Sequence, residues 1–296
     1  MWIKETVGRK IFLAANLTFI TAITITCVLP VWNVLCMSFS NPDYIEAGLV
    51  GIWPKGFNID AYTYALNNTK FWTALTVTLK RIVIGVPLNL ILVIFIAYPL
   101  SKSEQVFKAR KYYVGFFVAS MLFGGGMIPS YLVISKLKLI DSIWALILPG
   151  AVHTFHGVLL MNFFRSLPKE IEESALIDGA GHFSVMMRIQ VPLSVPALAT
   201  ITLFSLVGHW NAWFDGILYM NYTSNYPLQA YLQIVVNASR DSLLTSDIQT
   251  ILNQWNLNTR NMRAAQIFIS MVPIMVAYPF LQKYFTTGIV MGSVKG

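Results

Sequence analysis

Long, nearly uncharged apolar blocks alternate with polar segments along this 296-residue sequence. A helix of about 20 apolar residues crosses the ~30 Å hydrocarbon core of a bilayer, so each block is long enough to span a membrane. Charged residues make up only 11% of the chain, against about 25% in soluble domains. The sequence therefore predicts an all-α, polytopic membrane protein. We expect six transmembrane helices, at about 11–37, 71–99, 112–134, 142–163, 193–219 and 264–290.

The basic residues indicate the direction of these spans. With the N-terminus inside, the inner segments hold 12 Lys and Arg and the outer segments hold 7, while Lys80 and Arg81 within a span complete the 21. Positive residues accumulate on the cytoplasmic side, so both termini are predicted to be cytoplasmic. This bias also accounts for the net charge of +8 better than nucleic-acid binding does, because the sequence has no basic patch interleaved with aromatic residues. Residues 1–296 are interpreted as a single transmembrane domain whose first apolar block is too long for a signal peptide.

The segment 168–192 is the most distinctive inner loop. Pro168 suits the first turn of a helix, and the glutamates that follow complement the helix dipole. Gly179 and Gly181 flank a predicted turn, since glycine tolerates the positive φ that ends a helix. One interpretation is an amphipathic loop lying on the membrane surface. The acidic start of the helix instead favours docking on a basic protein partner, because surface-lying helices prefer Lys and Arg.

The sequence EESALIDGAGHFSVMMRIQVP in this loop resembles the EAA loop of ABC-importer permeases. Five residues fall in register with that pattern: Glu173, Ala175, Gly179, Ile189 and Pro192. Ser174 and Val191 depart from it mildly. The stretches AYPLSKS, HWNAWFDGILYM and PFLQKYFTTGIVMGSVKG are similar to the carbohydrate class of these permeases, in particular its MalG-like members and the LplC- and YtcP-like oligosaccharide subset.

The resemblance implies a type I ABC-importer permease fold in the bacterial cytoplasmic membrane, with a cytoplasmic coupling helix. It also implies a heterodimer with a second permease, two ATPase subunits and an extracytoplasmic solute-binding protein. ATP and Mg²⁺ would be bound by the ATPase subunits and no cofactor by this chain, which has no GxxxxGK[ST] motif and no catalytic site of its own. Glu172 or Glu173 would pair with a basic residue of the ATPase. The implied coupling residues are Glu172, Glu173, Ser174, Ala175, Gly179, Ile189 and Pro192.

An aromatic and polar cluster in the fifth predicted span comprises Trp210, Asn211, Trp213 and Asp215. Such groups could contact a sugar through flat rings and hydrogen bonds. The tryptophans could equally anchor the span at the outer interface or serve packing and gating. An acid within a span faces a cavity or a partner, because burying it in lipid is costly.

His153 and His156 are three residues apart in the fourth predicted span, on one helical face. Two histidines are too few for a metal site, so no metal is expected. Hydrogen bonding within the bundle is favoured over sugar contact, and Tyr278 is a weaker candidate of the same kind. The glycines at 124–126 indicate close helix approach or local unwinding.

Lys80 and Arg81 are unusual charges in the second predicted span. The first interpretation places them near the interface, with extended side chains that reach the head groups. The alternative is a cationic lining for an acidic oligosaccharide such as an alginate fragment.

The function predicted from these features is ATP-driven import of a sugar or oligosaccharide by alternating access. The rival functions are an ion-coupled secondary transporter and an ABC permease for a non-sugar solute. A secondary transporter would need relay carboxylates within its spans, and Asp215 is the one acid in the six predicted spans. The outer loop 220–263 is interpreted as part of a docking surface for the solute-binding protein.

Overall fold

The computed structural model describes residues 6–237 and 260–293, and in these ranges the chain is helical without strands. Side chains of the last helix are described through Val276 and at Pro279. The helices are α1 Val7–Ser38, α2 Pro42–Glu46, α3 Asp60–Asn67, α4 Thr69–Ser101, α5 Arg110–Leu122, α6 Met127–Lys136, α7 Ile143–Ile147, α8 Thr154–Ser166, α9 Lys169–Ile177, α10 His182–Val185, α11 Val191–Leu193, α12 Val195–Asn211, α13 Phe214–Tyr219, α14 Leu228–Asn237 and α15 Arg260–Ser293. A π-helical turn, Met186–Gln190, joins α10 to α11.

Two helices, α1 and α4, are continuous and long enough to cross a membrane. They have 32 and 33 residues, which at 1.5 Å per residue gives about 48 and 50 Å. The predicted spans 11–37 and 71–99 lie within them, so this part of the prediction is confirmed. The predicted span 264–290 likewise lies within α15.

Three of the predicted spans are bent or broken helices in the structure. The span 112–134 is divided into α5 and α6, which meet at 112°, and the segments Ile143–Gly150 and Thr154–Ser166 of the span 142–163 meet at 47°. The span 193–219 is broken between α12 and α13, at Ala212 and Trp213. Its start is also bent, by 80°, where His182–Leu193 meets Val195–Asn211.

The first bend has a local cause in its glycines. Residues 123–126 are not helical, and Gly126 has a φ of +81°, which glycine adopts without steric cost. The expectation of local unwinding at 124–126 is therefore confirmed.

The chain divides into two compact units. The described part of one unit is 6–71, 234–237 and 260–272, and that of the other is 72–233 and 273–293. In the first unit, the end of α1 is fixed to the segment that follows it: the indole N–H of Trp32 donates to the carbonyl of Ile52 at 2.7 Å. The rings of Phe39 and Tyr62 stack 4.6 Å apart.

The core of the second unit lies where α4, α8, α10 and α12 converge. Val93, Leu160, Val185 and Ile201, one from each of these helices, are fully buried. A smaller apolar cluster joins α6, α7 and α13 around Ile134, Leu146, Tyr219 and Met220. Both clusters position the polar groups described next.

Candidate functional site

The loop 168–192, called the coupling loop after the role that its sequence resemblance implies, forms a helix, a turn and a second helix. Gly179 has a φ of +85°, and the amides of Gly179 and Ala180 donate to the carbonyls of Leu176 and Ala175 at 3.1 and 2.9 Å. This pair of bonds is a Schellman motif, in which a left-handed residue satisfies the last carbonyls of a helix. The predicted turn is confirmed at Gly179, whereas Gly181 has ordinary extended backbone with a φ of −75°.

The inner face of the coupling loop is bound to the end of α4. The Nζ of Lys102 lies 2.6 and 2.7 Å from the two carboxylate oxygens of Glu172. The Nε2 of Gln190 donates to the same carboxylate at 2.8 Å, and Lys102 lies 3.9 Å from the ring centroid of Tyr98. Burial lowers the pKa of Lys102 below its ordinary value, and the hydrogen bond to Glu172 offsets part of that effect. Glu172 thus has hydrogen-bond partners within the chain, whereas the pairing of Glu172 or Glu173 with an ATPase residue stays a prediction.

The outer face of the coupling loop is exposed. Glu173 and Ser174 face solvent, while Ala175 packs against the core and Ile189 is half-buried. Large apolar side chains are exposed beside the acids, with Ile177 86% and Leu176 36% exposed. Pro192 is exposed but does not end the segment, since the helical turn runs on to Leu193.

One face of α4 carries a polar stripe made of Arg81, Gly85 and Asn89, which are spaced four residues apart. Arg81 is 4% exposed and forms a bidentate ion pair with Asp215, in which Nη1 lies 3.1 Å from Oδ1 and Nη2 bonds Oδ2. Its Nε donates to Nδ1 of His209 at 3.1 Å. The expectation that the Arg81 side chain extends to the membrane interface is wrong, because the guanidinium is buried and has a carboxylate partner within the chain. Lys80, one residue earlier, lies about 100° round α4 and is exposed.

The C-terminal part of the polar stripe, at Asn89, contacts the buried His156. The side-chain amide of Asn89 donates to the carbonyl of Ala151 at 2.9 Å, and its oxygen lies 3.2 Å from Nδ1 of His156. Hydrogen bonding within the bundle is therefore confirmed for His156. The rings of His153 and His156 stack 4.5 Å apart, but His153 is exposed and precedes the first turn of α8 rather than sharing a helical face.

The predicted aromatic cluster is divided by the break between α12 and α13. Trp210 is 5% exposed in the core, whereas Asn211 and Trp213 are exposed. Asp215 joins the polar stripe through Arg81. Tyr278 lies on α15, and its side chain is outside the described residues.

Four residues of these sites are absent from the sequence prediction: Asn89, Lys102, Gln190 and His209. The four-residue spacing from Arg81 through Gly85 to Asn89 is a helical-face signal that could have found Asn89. Nothing local marks the other three, because their partners lie far away in the sequence, as in the 70-residue separation of Lys102 from Glu172.

No family model matches the sequence. The chain is 38% identical to protein LplC of Bacillus subtilis strain 168, over 99% of this chain and 97% of LplC. It is 36% identical to the polygalacturonan/rhamnogalacturonan transport system permease protein YtcP of the same organism, over 94% and 96% of the two chains. Among solved structures, it matches the crystal structure of a bacterial ABC transporter involved in the import of the acidic polysaccharide alginate. That match has a TM-score of 0.84, 28% identity, and coverage of 96% of this chain and 100% of the other.

Proposed function

The chain belongs to the permease subunits of ABC-type carbohydrate importers, and on this basis we propose that it forms one half of the pathway through which an oligosaccharide enters the cell. The observation that carries the proposal is the coupling loop, which is fixed to α4 on its inner face and exposes acidic and apolar residues on its outer face. Such a surface suits docking on a separate ATPase subunit. The permease itself is a transport component, and ATP hydrolysis belongs to those partners.

The proposed topology has six spans with both termini in the cytoplasm. The described residues supply two continuous apolar helices and three bent pairs, and α15 would provide the sixth crossing. In this arrangement 1–296 is a single permease domain in the cytoplasmic membrane and the coupling loop faces the cytoplasm. A second permease subunit would complete the pore, and no cofactor would be bound by this chain.

Glu173 is the proposed ATPase contact of the coupling loop. It is exposed, whereas its neighbour Glu172 is held by Lys102 and Gln190. ATP binding would draw the ATPase subunits together, and the permease would switch between discrete inward-facing and outward-facing packings. A solute-binding protein would deliver cargo at the opposite membrane face.

The proposed cargo is a sugar oligomer that contains uronic acids. One relative is named for polygalacturonan and rhamnogalacturonan transport, and the matching solved transporter imports alginate, an acidic polysaccharide. The polar stripe supplies hydrogen-bonding groups within the second unit, but its Arg81 is neutralised by Asp215 in this conformation. Cargo carboxylates would therefore meet Arg81 only after that ion pair opens.

Reconstitution tests this function. The chain, co-purified with its partner permease and ATPase subunits, is expected to accumulate oligogalacturonate in liposomes only with ATP and the binding protein. Uptake driven by an ion gradient with no ATPase recovered would contradict the assignment.

Glu173→Lys tests the coupling assignment directly. Reversing this exposed charge should reduce both transport and cargo-stimulated ATP hydrolysis at least about tenfold, a typical size for coupling between sites, while membrane insertion is unchanged. Glu104→Lys, an exposed acid in the loop after α4, is the matched control and should transport normally. Normal coupled hydrolysis in Glu173→Lys would remove Glu173 from the contact.

A further inference from the structure

The end of α4 presents one face to the coupling loop. Phe95, Tyr98 and Lys102 are three and four residues apart, which places them on one side of the helix. Phe95 stacks on Phe183 with ring centroids 6.4 Å apart, and the hydroxyl of Tyr98 lies 3.2 Å from Nδ1 of His182. Lys102 binds the Glu172 carboxylate through both oxygens. Two successive turns of α4 and the residue directly after the helix therefore contact the coupling loop.

The contact at Lys102 is enclosed. Side-chain exposure is 9% for Lys102 and 21% for Glu172, and Gln190 is 5% exposed. The amide of Gln190 must turn its nitrogen towards Glu172, because an ionised carboxylate only accepts hydrogen bonds. The side-chain oxygen of Gln190 is then buried with no hydrogen-bond partner among the described residues. Gln190 also lies in a π-helical turn, a feature that is frequent at functional sites.

We propose that Lys102 is a positioning residue that fastens the coupling loop to α4, so that displacement of the loop by the ATPase moves α4 with it. The inference rests on the proposed function. Along the chain, the coupling loop is continuous with α8 before it and α12 after it. The Lys102–Glu172–Gln190 contact adds a third connection, to the helix that carries Arg81 and Asn89.

The contact transmits motion of the coupling loop to the polar stripe, because α4 is a continuous helix from Arg81 to Ser101, the residue before Lys102. Arg81 and Asn89 bind groups on α12, α13 and α8. A shift of α4 along these partners would exchange the hydrogen bonds of the stripe. Without Lys102, the loop could follow the ATPase while α4 stays behind.

Lys102→Met tests the proposal with a side chain of similar length and no charge. In liposomes with the full complex, cargo moved per ATP hydrolysed should fall about tenfold while cargo-stimulated hydrolysis keeps at least about half of its rate. A role limited to stabilising the loop would instead lower both activities in proportion to the folded protein, so the thermal midpoint is measured alongside. Lys108→Met is the control: it removes an exposed lysine from the loop after α4, and it should leave the ratio of transport to hydrolysis unchanged.

The charge-exchanged variant Lys102→Glu/Glu172→Lys restores an ion pair at the same place. Recovery of the transport-to-hydrolysis ratio towards the wild-type value supports the proposal, and a ratio as low as that of Lys102→Met contradicts it. If the wild-type complex itself hydrolyses no ATP on cargo addition, the proposed function fails. If the wild type couples and Lys102→Met couples equally well, only the role of Lys102 fails.

A cross-link gives a test that does not depend on the folding of Lys102 variants. With Cys27 and Cys36 replaced, Phe95→Cys and Phe183→Cys can be joined by a short bifunctional methanethiosulfonate. Because the loop and α4 are proposed to move together, the linked protein should keep transporting. Loss of transport that reduction restores would show that the two must separate, and would overturn the proposal.

Discussion

Arg81 shows how a charge is accommodated inside an apolar helix bundle. Its guanidinium donates to both oxygens of Asp215 and to His209, with Nη1–Oδ1 and Nε–Nδ1 each at 3.1 Å. Removing one partner of a buried ion pair leaves an uncompensated charge and typically costs ~3–5 kcal/mol. Opening the pair is therefore least costly when another charge replaces one member, which is what an acidic cargo could do.

Gly85 allows this network to form. A Cβ built on Gly85 would lie 2.6 Å from Nε2 of His209, and the ring cannot retreat without losing its bond to Arg81. Gly85→Ala should therefore lower the free energy of unfolding by ~1–3 kcal/mol, the usual cost of overpacking. Thermal unfolding in detergent measures the change.

Gly115→Ala is the control for that substitution. A Cβ at Gly115 meets nothing within 4 Å, so the alanine should be neutral or stabilise α5 by up to ~1 kcal/mol through helix propensity. Equal stability of the two variants would mean that His209 is not confined against α4.

At the scale of elements, the sequence predicts helices better than their bends. Length and hydropathy suffice for α1 and α4. They do not suffice for the 112° bend between α5 and α6, because a glycine run permits unwinding but tertiary partners decide whether freed backbone groups are satisfied. The site divides similarly: Gly179 is predictable from its local turn, whereas Arg81 and Asp215 are 134 residues apart and require the packed fold.

Asp141 joins the turn after α6 to the segment after α13 through hydrogen bonds. Its carboxylate accepts from the backbone amides of Asn221 and Tyr222 at 2.6 and 3.1 Å, and its own carbonyl accepts from Asn225 at 3.2 Å. Its φ of +61° is a left-handed conformation that aspartate and asparagine tolerate better than most residues.

Asp141→Ala should expose this junction to proteases and cost ~0.5–1.5 kcal/mol, the net worth of a hydrogen bond at an exposed site, because two amides exchange the carboxylate for water. Asp141→Asn retains a side-chain oxygen and the left-handed backbone, so it should behave nearly as the wild type. Limited proteolysis of the two variants distinguishes them, and identical cleavage of Asp141→Ala and wild type would show that the junction is not held by this carboxylate.

The same junction should weaken in acid. Burial alone would raise the pKa of Asp141, but hydrogen bonds from Asn221 and Tyr222 bring it below its ordinary value of 3.8. A carboxylate with a depressed pKa stabilises the folded state above the unfolded pKa, and that stabilisation is lost as the pH falls through the folded value. Proteolysis of the wild type with an acid-active protease should therefore increase below that pH, and much less so in Asp141→Asn.

At the scale of the whole molecule, α4 relates the two functional regions of the second unit. From Arg81 to Ser101, the residue immediately before Lys102, this helix rises about 30 Å at 1.5 Å per residue. That is the thickness of the hydrocarbon core. Asp215 binds Arg81 and Glu172 binds Lys102, so α13 and the coupling loop contact the α4 segment at the two ends of this rise.

Opposite membrane faces are therefore predicted for Glu104 and Tyr222, both of which are exposed. In a variant without Cys27 and Cys36, a cysteine at 104 should react with an impermeant maleimide in inside-out vesicles, and a cysteine at 222 in right-side-out vesicles. A cysteine that replaces Ile177 of the coupling loop should be labelled from the same side as the cysteine at 104, because Lys102 and Glu172 are in direct contact. Labelling of positions 104 and 222 from the same side would mean an even number of membrane crossings between them and would contradict this topology. Labelling of the coupling loop from outside would mean that it cannot reach a cytoplasmic ATPase.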